Sequence, residues 1–309
     1  MAAGEVNAEP LRGGLALDHE HGRSLRVQHG TVELLRYVYG TWDPQYESPR
    51  PYFHPVRTLD GDVVTAYRPH DHVWHKGISL SLPVVGDGNF WGGGSYVHGE
   101  GYLDLPNNGS IRHRAFTEIE ATPDRIAIAH DLDWITEPGE LRITEQRAFT
   151  VTLADGAWIL TFATALTNAS GETVRLGSPT TKGRPEAGYG GLFWRGPRSF
   201  TGGIVHAPGG PGGDELMGSR QPWLGFTGQH DGHGRYSTLV IADSPANPGH
   251  PVEWFVRTSQ FPGACPAPFF TTEVPVEPGE TLRLEYAIAI AGGRPDPAGL
   301  GAAALKALS

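Results

Sequence analysis

Apolar and polar residues alternate through much of the chain, and this alternation predicts β-strands. In residues 125–135, Ile126, Ile128, Leu132 and Trp134 share one face, while acidic and basic side chains take the other. A period of two is typical of a strand with one buried face. The same kind of pattern predicts further strands at residues 141–151, 158–167, 173–176, 203–206, 237–242, 252–258 and 281–290.

Turn residues separate these strands and leave room for one helix. Residues 41–55 contain four prolines, which favours an ordered loop or an edge segment over a central strand. Residues 297–308 are rich in alanine and follow Asp296, a suitable N-cap, so they are predicted to form a short C-terminal helix. The predicted fold is all-β: a large antiparallel β-sandwich in one domain, residues 25–293, with a tail and first strand at residues 1–24 and the helix within residues 294–309.

Three polar residues fall on apolar faces of the predicted strands. His130 lies on the buried face of residues 125–135, where a histidine is more often a hydrogen-bonded core or cavity residue than a catalytic one. Glu145 and Arg147 share the apolar face of the next strand. They either line a cavity or pair with each other, and pairing is favoured because buried charges need partners.

Composition and charge exclude several classes of function. The 309 residues include 43 glycines and 26 prolines, and the formal net charge of −10 argues against a nucleic-acid partner. The apolar runs are too short to span a bilayer, which argues against a membrane partner. Cys265 is the one cysteine, and the N-terminus shows no signal-peptide pattern, so a cytoplasmic location is expected.

The densest set of reactive side chains lies in residues 70–77, HDHVWHKG. Three histidines, His70, His72 and His75, fall within six positions. Histidine exchanges protons near neutral pH because its unperturbed pKa is about 6.5. The segment predicts a functional site in which His72 and His75 act as general acid and base. A structural hydrogen-bond network is the alternative.

Three further segments carry candidate side chains. In residues 50–55, two prolines restrain the backbone around His54, which would support or replace one acid–base histidine, or only shape a loop. Residues 89–102 combine glycines with aromatic rings that either stack on a sugar or fill the core. Residues 181–195 contain Glu186, a candidate carboxylate partner in acid–base catalysis, although exposed glutamates are common. The predicted contacts to substrate are Trp74, Trp91, Tyr102, Tyr189, Arg184 and Arg195.

Metal binding is a weaker interpretation of the same histidines. A cupin-like site would need a glutamate three or four residues beyond the second histidine of H-x-H, but His75 and Lys76 stand there. A three-histidine site formed by His54, His72 and His75 stays open, because loops can bring such residues together. No cofactor is expected otherwise.

Several segments resemble a bacterial family of unknown function labelled "PmoA family protein" or "methane oxygenase PmoA". The resemblance covers about residues 25–290 and is carried by RPYFHP at 50–55, DHVWHKG at 71–77, FWG at 90–92 and GYGGL at 188–192. Its motif includes Asp71 and Lys76, which join the predicted substrate-binding residues. The membrane subunit of methane monooxygenase is helical and spans the bilayer, so the oxygenase label does not suit this chain.

The chain also bears a distant resemblance to the galactose mutarotase-like supersandwich. The matching features are HKG at 75–77, QFPG at 260–263 and PGE at 278–280, just before the last predicted strand. This resemblance implies the supersandwich fold. In mutarotases the catalytic glutamate lies two residues before that glutamine, where this chain has Thr258, so their activity is not expected to transfer.

Together these segments predict a carbohydrate-active enzyme that acts on a sugar or sugar derivative by histidine–carboxylate acid–base chemistry, of the epimerase, lyase or hydrolase type. The expected partner is a small-molecule carbohydrate. A non-catalytic carbohydrate-binding protein and a histidine-ligated metal enzyme are the alternatives. The sequence does not determine the oligomeric state, and a dimer is compatible with it.

Overall fold

The structure, a computed structural model, describes residues 13–309, so the predicted tail at residues 1–12 lies outside it. Strands make up nearly all of the regular structure. They are β1 (Leu15–Glu20), β2 (Ser24–His29), β3 (Val32–Val38), β4 (Tyr52–Val56), β5 (Ile78–Ser81), β6 (Val84–Val85), β7 (Ser95–Val97), β8 (Gly101–Leu103), β9 (Ser110–Ala121), β10 (Arg125–Ile135), β11 (Leu141–Ala154), β12 (Ala157–Asn168), β13 (Val174–Gly177), β14 (Gly191–Arg195), β15 (Ile204–Ala207), β16 (Gly210–Gly212), β17 (Trp223–Gln229), β18 (Tyr236–Asp243), β19 (Trp254–Arg257), β20 (Gly263–Pro266), β21 (Val274–Val276) and β22 (Thr281–Gly292). The helices are α1 (Pro297–Lys306) and the short 3₁₀ segments Gln45–Glu47, Arg198–Phe200 and Asp214–Leu216.

Two large antiparallel sheets form the predicted β-sandwich. The first has the strand order β1-β2-β3-β4-β5-β14-β20-β19, and the second has the order β16-β15-β17-β18-β22-β12-β11-β10-β9. The largest apolar cluster draws Tyr37 and Trp194 from the first sheet and Trp134 and Trp158 from the second. Removing these side chains from water between the sheets is the main force that holds the layers together.

The alternation in the sequence is confirmed by the long strands of the second sheet. β10 begins and ends where it was predicted, and Ile126, Ile128, Leu132 and Trp134 are buried. The neighbouring strands run past the predicted ends, β11 to Ala154 and β12 to Asn168. Pairing with adjacent strands extends the ladder beyond the stretch where the side-chain pattern is clear.

The prediction for residues 41–55 is wrong in one respect. Tyr52–Val56 forms β4, which lies between β3 and β5 inside the first sheet. The ladder avoids the missing N–H of Pro55: β3 pairs with Tyr52, Phe53 and Val56 through a register shift, and β5 pairs with Phe53 alone. A strand with proline is therefore accommodated by sparse pairing on both sides.

The predicted C-terminal helix is confirmed as α1. The carboxylate of Asp296 accepts hydrogen bonds from the N–H groups of Ala298 and Gly299 at 3.1 and 3.0 Å, which caps the helix. Leu300 and Ala304 are buried in an apolar cluster with side chains of β17, β18 and β22. Among residues 13–309, no helix has the length and apolar character needed to cross a membrane.

The two predicted segment boundaries fall at different kinds of place. β1 pairs with β2 over its full length, from Leu15 opposite His29 to Glu20 opposite Ser24, so the boundary at residue 24 lies within a hairpin. The boundary at residue 293 lies in the connection between β22 and α1. The first sheet thus includes the strand that was predicted to precede the domain.

The polar residues predicted on apolar faces form one buried network. Arg147 donates from Nε to Oε1 of Glu145 at 2.7 Å and from Nη2 to Oε2 at 2.9 Å, which confirms the predicted pairing. His130 is bonded at both ring nitrogens, through Nε2 to the hydroxyl of Tyr37 at 2.8 Å and through Nδ1 to Nδ1 of His113 at 2.9 Å. The prediction of a hydrogen-bonded core histidine is therefore confirmed.

Candidate functional site

Residues 69–77 turn tightly before β5 begins. The N–H of His72 donates to the carbonyl of Pro69 at 3.0 Å, and the N–H of His75 donates to the carbonyl of His72 at 2.9 Å. Gly77 has a φ of +53°, and a Cβ there would lie 2.2 Å from the carbonyl oxygen of Phe53. Only glycine fits this position, so the HKG motif is a requirement of the turn.

These turns bring His72 and His75 side by side. Their rings are parallel within 6°, with centroids 4.6 Å apart. Nδ1 of His72 lies 3.0 Å from Oδ2 of Asp71. The guanidinium of Arg195, on β14, donates from Nη1 to Nδ1 of His75 at 3.0 Å and from Nη2 to Oδ2 of Asp71 at 3.1 Å. One arginine therefore connects both histidines, the first through a carboxylate and the second directly.

The protonation of this group follows from its neighbours. Burial disfavours the charged carboxylate of Asp71, but its hydrogen bond with His72 and the charge of Arg195 outweigh burial and lower its pKa to about 2. Burial lowers the pKa of His75 well below its usual range, and the charges of His72, Arg195 and Arg50 lower it further. Near neutral pH, Asp71 is ionised and His75 is neutral.

The two histidines open onto a cleft with a volume of about 490 Å³. This volume lies within the ordinary range of small-molecule sites. Aromatic rings make up much of its wall, and polar groups are interspersed among them. The lining residues are Tyr46, His72, Trp74, His75, Trp91, Gly92, Gly94, Tyr102, Asp104, Arg184, Glu186, Ala187, Tyr189, Phe255, Arg257, Gln260 and Phe261.

One wall of the cleft is held by contacts between aromatic and arginine side chains. The hydroxyls of Tyr102 and Tyr189 are 2.8 Å apart, and Arg184 donates to the Tyr102 hydroxyl while its guanidinium lies 4.7 Å from the centroid of the Tyr102 ring. Glu186 has a φ of +53°, and its carbonyl accepts from Nη2 of Arg257 at 2.9 Å. This bond fixes a strained turn whose side chain borders the cleft.

Residues 24–305 match the family DUF6807, described as a family of unknown function. The chain belongs to this family. The match covers the segment of about residues 25–290 for which a relation to a family of unknown function was expected, and extends beyond it. No curated protein matches this sequence.

Several solved structures are similar to this DUF6807 chain. The GH36 α-galactosidase AgaA of Geobacillus stearothermophilus has 11% identity and a TM-score of 0.43 over 85% of this chain, which spans only 40% of the galactosidase. The galactose 1-epimerase of Lactobacillus acidophilus NCFM has 8% identity and a TM-score of 0.38, over 91% of this chain and 100% of the epimerase. A putative aldose 1-epimerase of Escherichia coli K12 has 11% identity and a TM-score of 0.34, over 90% and 100%. Similarity at this level carries no activity from these proteins to this chain.

The structure brings most of the predicted site residues together. The candidate catalytic residues His72, His75 and Glu186 all line the cleft, although Glu186 lies more than 100 positions after the two histidines. The predicted substrate contacts that also line it are Trp74, Trp91, Tyr102, Arg184 and Tyr189. Residues 70–77, 89–102 and 181–195 therefore all contribute side chains to one cleft.

Three predicted substrate contacts, Asp71, Lys76 and Arg195, lie outside the cleft wall. Asp71 and Arg195 instead form hydrogen bonds with the Nδ1 atoms of His72 and His75. Lys76 is fully buried, where its ammonium contacts Asp43 at 2.7 Å and also Glu47. Buried charges require partners, so Lys76 ties the segment that carries Tyr46 to the loop of the histidines instead of reaching substrate.

The predicted convergence of His54 with the other histidines is wrong. His54 borders a different groove with Trp42, Arg36 and Tyr52, and its Nδ1 lies 2.9 Å from the hydroxyl of Thr65. β4 turns the side chain away because His54 lies in the first sheet and not in the loop above it. The three-histidine metal site with His72 and His75 is therefore not formed, and residues 13–309 contain no group of three His, Cys, Asp or Glu side chains placed to hold a metal ion.

Two glycines before β7 lie against the side chain of Trp74. A Cβ on Gly92 would lie 2.7 Å from Cβ of Trp74, and a Cβ on Gly93 would lie 2.8 Å from the Trp74 ring. Both glycines make room for the tryptophan, which in turn borders the cleft. Gly92 and Gly94 also line the cleft.

Six side chains of the cleft lie outside the segments from which site residues were predicted. Phe261 is the most informative of them, because its ring lies 5.1 Å from the ring of His72, 5.4 Å from that of His75 and 4.4 Å from the guanidinium of Arg195. The QFPG segment that contains it was noted only as a match to the mutarotase-like pattern. The others are Tyr46, Asp104, Phe255, Arg257 and Gln260, and apart from Gln260 in that segment no local motif marks them.

Proposed function

We propose that this protein is a carbohydrate-active enzyme that binds a sugar or sugar derivative in the cleft and transfers a proton through His72. The observation that carries the proposal is the Asp71–His72 pair, 3.0 Å apart, at the edge of an aromatic-lined cleft. The ionised carboxylate accepts the Nδ1 proton of His72, which leaves Nε2 as the atom that exchanges protons. A histidine oriented in this way is suited to general acid–base catalysis.

The chemistry of the cleft wall supports a sugar as the ligand. Sugars present apolar C–H faces and polar hydroxyls, and this wall combines rings such as Trp74 and Trp91 with donors such as Arg184. Glu186 and Asp104 add carboxylates that accept from hydroxyl groups. Epimerisation, elimination and hydrolysis all begin with a positioned proton transfer, so the proposal covers all three.

The test is to incubate the protein with D-galactose, D-glucose, D-galacturonate and lactose and to follow conversion and binding by proton NMR. For a converted sugar, His72→Ala should lower turnover about 10²–10⁴-fold and keep most of the affinity. His70→Ala is the matched control, because His70 is exposed, lies two positions away and does not line the cleft. Equal turnover in wild type and His72→Ala would refute the role of His72.

A non-catalytic carbohydrate-binding protein is the second candidate, and the aromatic character of the cleft favours it. Tyr102 and Tyr189 join the two tryptophans in the wall, so binding alone would use the same surface. In that case a sugar binds without conversion, and His72→Ala weakens affinity alone. Neither candidate uses a metal, and stoichiometric zinc, manganese, iron or nickel in the purified protein would contradict that part of the proposal.

A further inference from the structure

His72 and His75 are neighbours with different hydrogen-bond partners. Nδ1 of His72 faces the carboxylate of Asp71, which only accepts when ionised. Nδ1 of His75 faces Nη1 of Arg195 at 3.0 Å, and a guanidinium only donates. Nδ1 of His75 must therefore be the unprotonated nitrogen, and the neutral ring carries its proton on Nε2.

The remaining nitrogen of His75 is the one available to a ligand. His75 is 2% exposed and lines the cleft, and within residues 13–309 its Nε2 has no hydrogen-bond partner. The groups whose charges act on the ring are His72, Arg195 and Arg50, and the ionised carboxylate of Asp71 contacts both His72 and Arg195. His72, Arg195 and Arg50 are basic and oppose a second proton on His75, while the charge of Asp71 is paired with Arg195.

We infer that His75 is a permanently neutral hydrogen-bond donor to a substrate oxygen, held in this tautomer by Arg195, and that proton transfer belongs to His72 alone. Arg195 is a positioning residue: it donates to His75 and to Asp71 with two nitrogens of the same guanidinium. Phe261 lies 4.4 Å from that guanidinium and Arg195 is 1% exposed, so the arrangement is fixed by packing.

This division of roles deepens the proposed function by naming the kind of step that the site performs. Nε2 of His72 accepts a proton from a substrate O–H or C–H bond, and the electron pair of that bond stays on the substrate. The resulting negative charge rests on a substrate oxygen that accepts from Nε2–H of His75, which keeps its own proton. The inference thus assigns a substrate whose oxygen becomes anionic, either an ionising hydroxyl or a carbonyl beside the C–H bond.

The test of the tautomer needs no ligand, so its failure is distinguishable from failure of the proposed function. In uniformly ¹⁵N-labelled protein, long-range ¹H–¹⁵N spectra should show an unprotonated Nδ1 and a protonated Nε2 for His75 at every pH from 5 to 8. Titration of His75 within that range, a proton on Nδ1 or a mixture of tautomers would overturn the inference. A positive tautomer result with no converted or bound sugar would refute only the proposed function.

Variants test whether Arg195 sets this state. Arg195→Lys keeps a donor to Nδ1 and should keep the wild-type tautomer, whereas Arg195→Met should give a mixture of tautomers. Arg198→Met is the matched control, because Arg198 contacts the exposed His70 and not His75. If Arg195→Met does not fold, the wild-type spectra still decide the inference. A wild-type tautomer in folded Arg195→Met would refute the role of Arg195.

Turnover of a converted sugar tests the donor role. His75→Leu removes the donor and should lower kcat about 10²–10³-fold, as loss of an oxyanion donor does elsewhere. His75→Gln retains an N–H donor but cannot exchange a proton, and it should keep clearly more turnover than His75→Leu. Equal loss in both variants would indicate that His75 transfers a proton, against the inference.

Discussion

Two histidine clusters in this protein differ in what their ring nitrogens contact. In the buried network, His130 is bonded at both nitrogens, to Tyr37 and to His113. In the cleft, Nδ1 of His72 is bonded to Asp71 and Nδ1 of His75 to Arg195, and their Nε2 atoms have no hydrogen-bond partner within residues 13–309. Both clusters combine histidine, arginine and a carboxylate, so residue types alone do not separate structure from chemistry. What distinguishes the two clusters in the described part of the chain is whether the ring nitrogens have protein partners.

The buried network should be the more sensitive of the two to loss of an arginine. Arg147→Met leaves the carboxylate of Glu145 buried without its cation, and we expect the free energy of unfolding to fall by about 3–5 kcal/mol. Urea denaturation measures this loss. Arg125→Met is the control, because its pair with Glu120 is about half exposed and should contribute at most about 1 kcal/mol. Similar losses in both variants would show that burial does not distinguish the pairs.

Lys76 can be assigned either to the substrate-binding residues or to the buried ion pairs. The sequence predicted that it binds substrate, but the structure buries it. Lys76→Met leaves Asp43 without its cation and weakens the pairing of Glu47, so the free energy of unfolding should fall by about 3 kcal/mol. Lys182→Met removes an exposed lysine that is paired with the half-buried Glu273, and it should lose at most about 1 kcal/mol. A stable Lys76→Met that no longer binds sugar would return Lys76 to the substrate-binding residues.

The buried histidine also makes a pH-dependent contribution to stability. Burial, aided by the charge of Arg147, lowers the pKa of His130 to about 2. Below about pH 6.5, His130 is therefore protonated in the unfolded chain and stays neutral in the native protein. Stability contributed by the neutral ring is therefore present near pH 7 and lost as the pH falls. Between pH 7 and 5 this difference is about 2 kcal/mol for one histidine. Urea denaturation of His130→Gln should show a pH dependence weaker by that amount, and an unchanged dependence would contradict the assignment.

Glu186 gives the smallest expected effect on folding and completes the comparison with Glu145. Its side chain is exposed at the cleft, so Glu186→Gln should change the free energy of unfolding by less than about 0.5 kcal/mol. Glu145→Gln, in the buried network, should cost several times more. Thermal and urea denaturation compare the two. A reduced turnover in Glu186→Gln at unchanged stability would support its predicted role as the carboxylate partner.

The strands were the part of the molecule most accessible from the sequence. β10 followed directly from alternating residues, since one buried face imposes a period of two on the side chains. The helix followed from Asp296 and the alanine-rich segment after it. β4 was missed because proline usually excludes a central strand, and only the sparse pairing of its neighbours shows how Pro55 is tolerated.

The candidate site was accessible only in part. Segments rich in histidine, aromatic residues and glycine led to His72, His75, Trp91 and Tyr189, because such residues are concentrated where chemistry or recognition takes place. Tyr46, Asp104 and Arg257 stand in segments with no such signal and reach the cleft through the fold. His54 stands in a segment rich in proline and aromatic residues, yet it borders a different groove. The reason is that its strand and the histidine loop, although close in sequence, present their side chains to different sides.

By itself, the sequence determined the all-β fold and the C-terminal helix, and it singled out residues 70–77 as a candidate site, since local periodicity and residue chemistry are properties of short segments. Tertiary structure alone decided which histidines meet and what each one contacts. Arg195 lies 120 positions after His75 and still defines its tautomer, because β14 pairs with β5 beside the loop. Which residues far apart in sequence form a hydrogen bond depends on how the strands pair. The pattern of residues within one segment therefore cannot predict it.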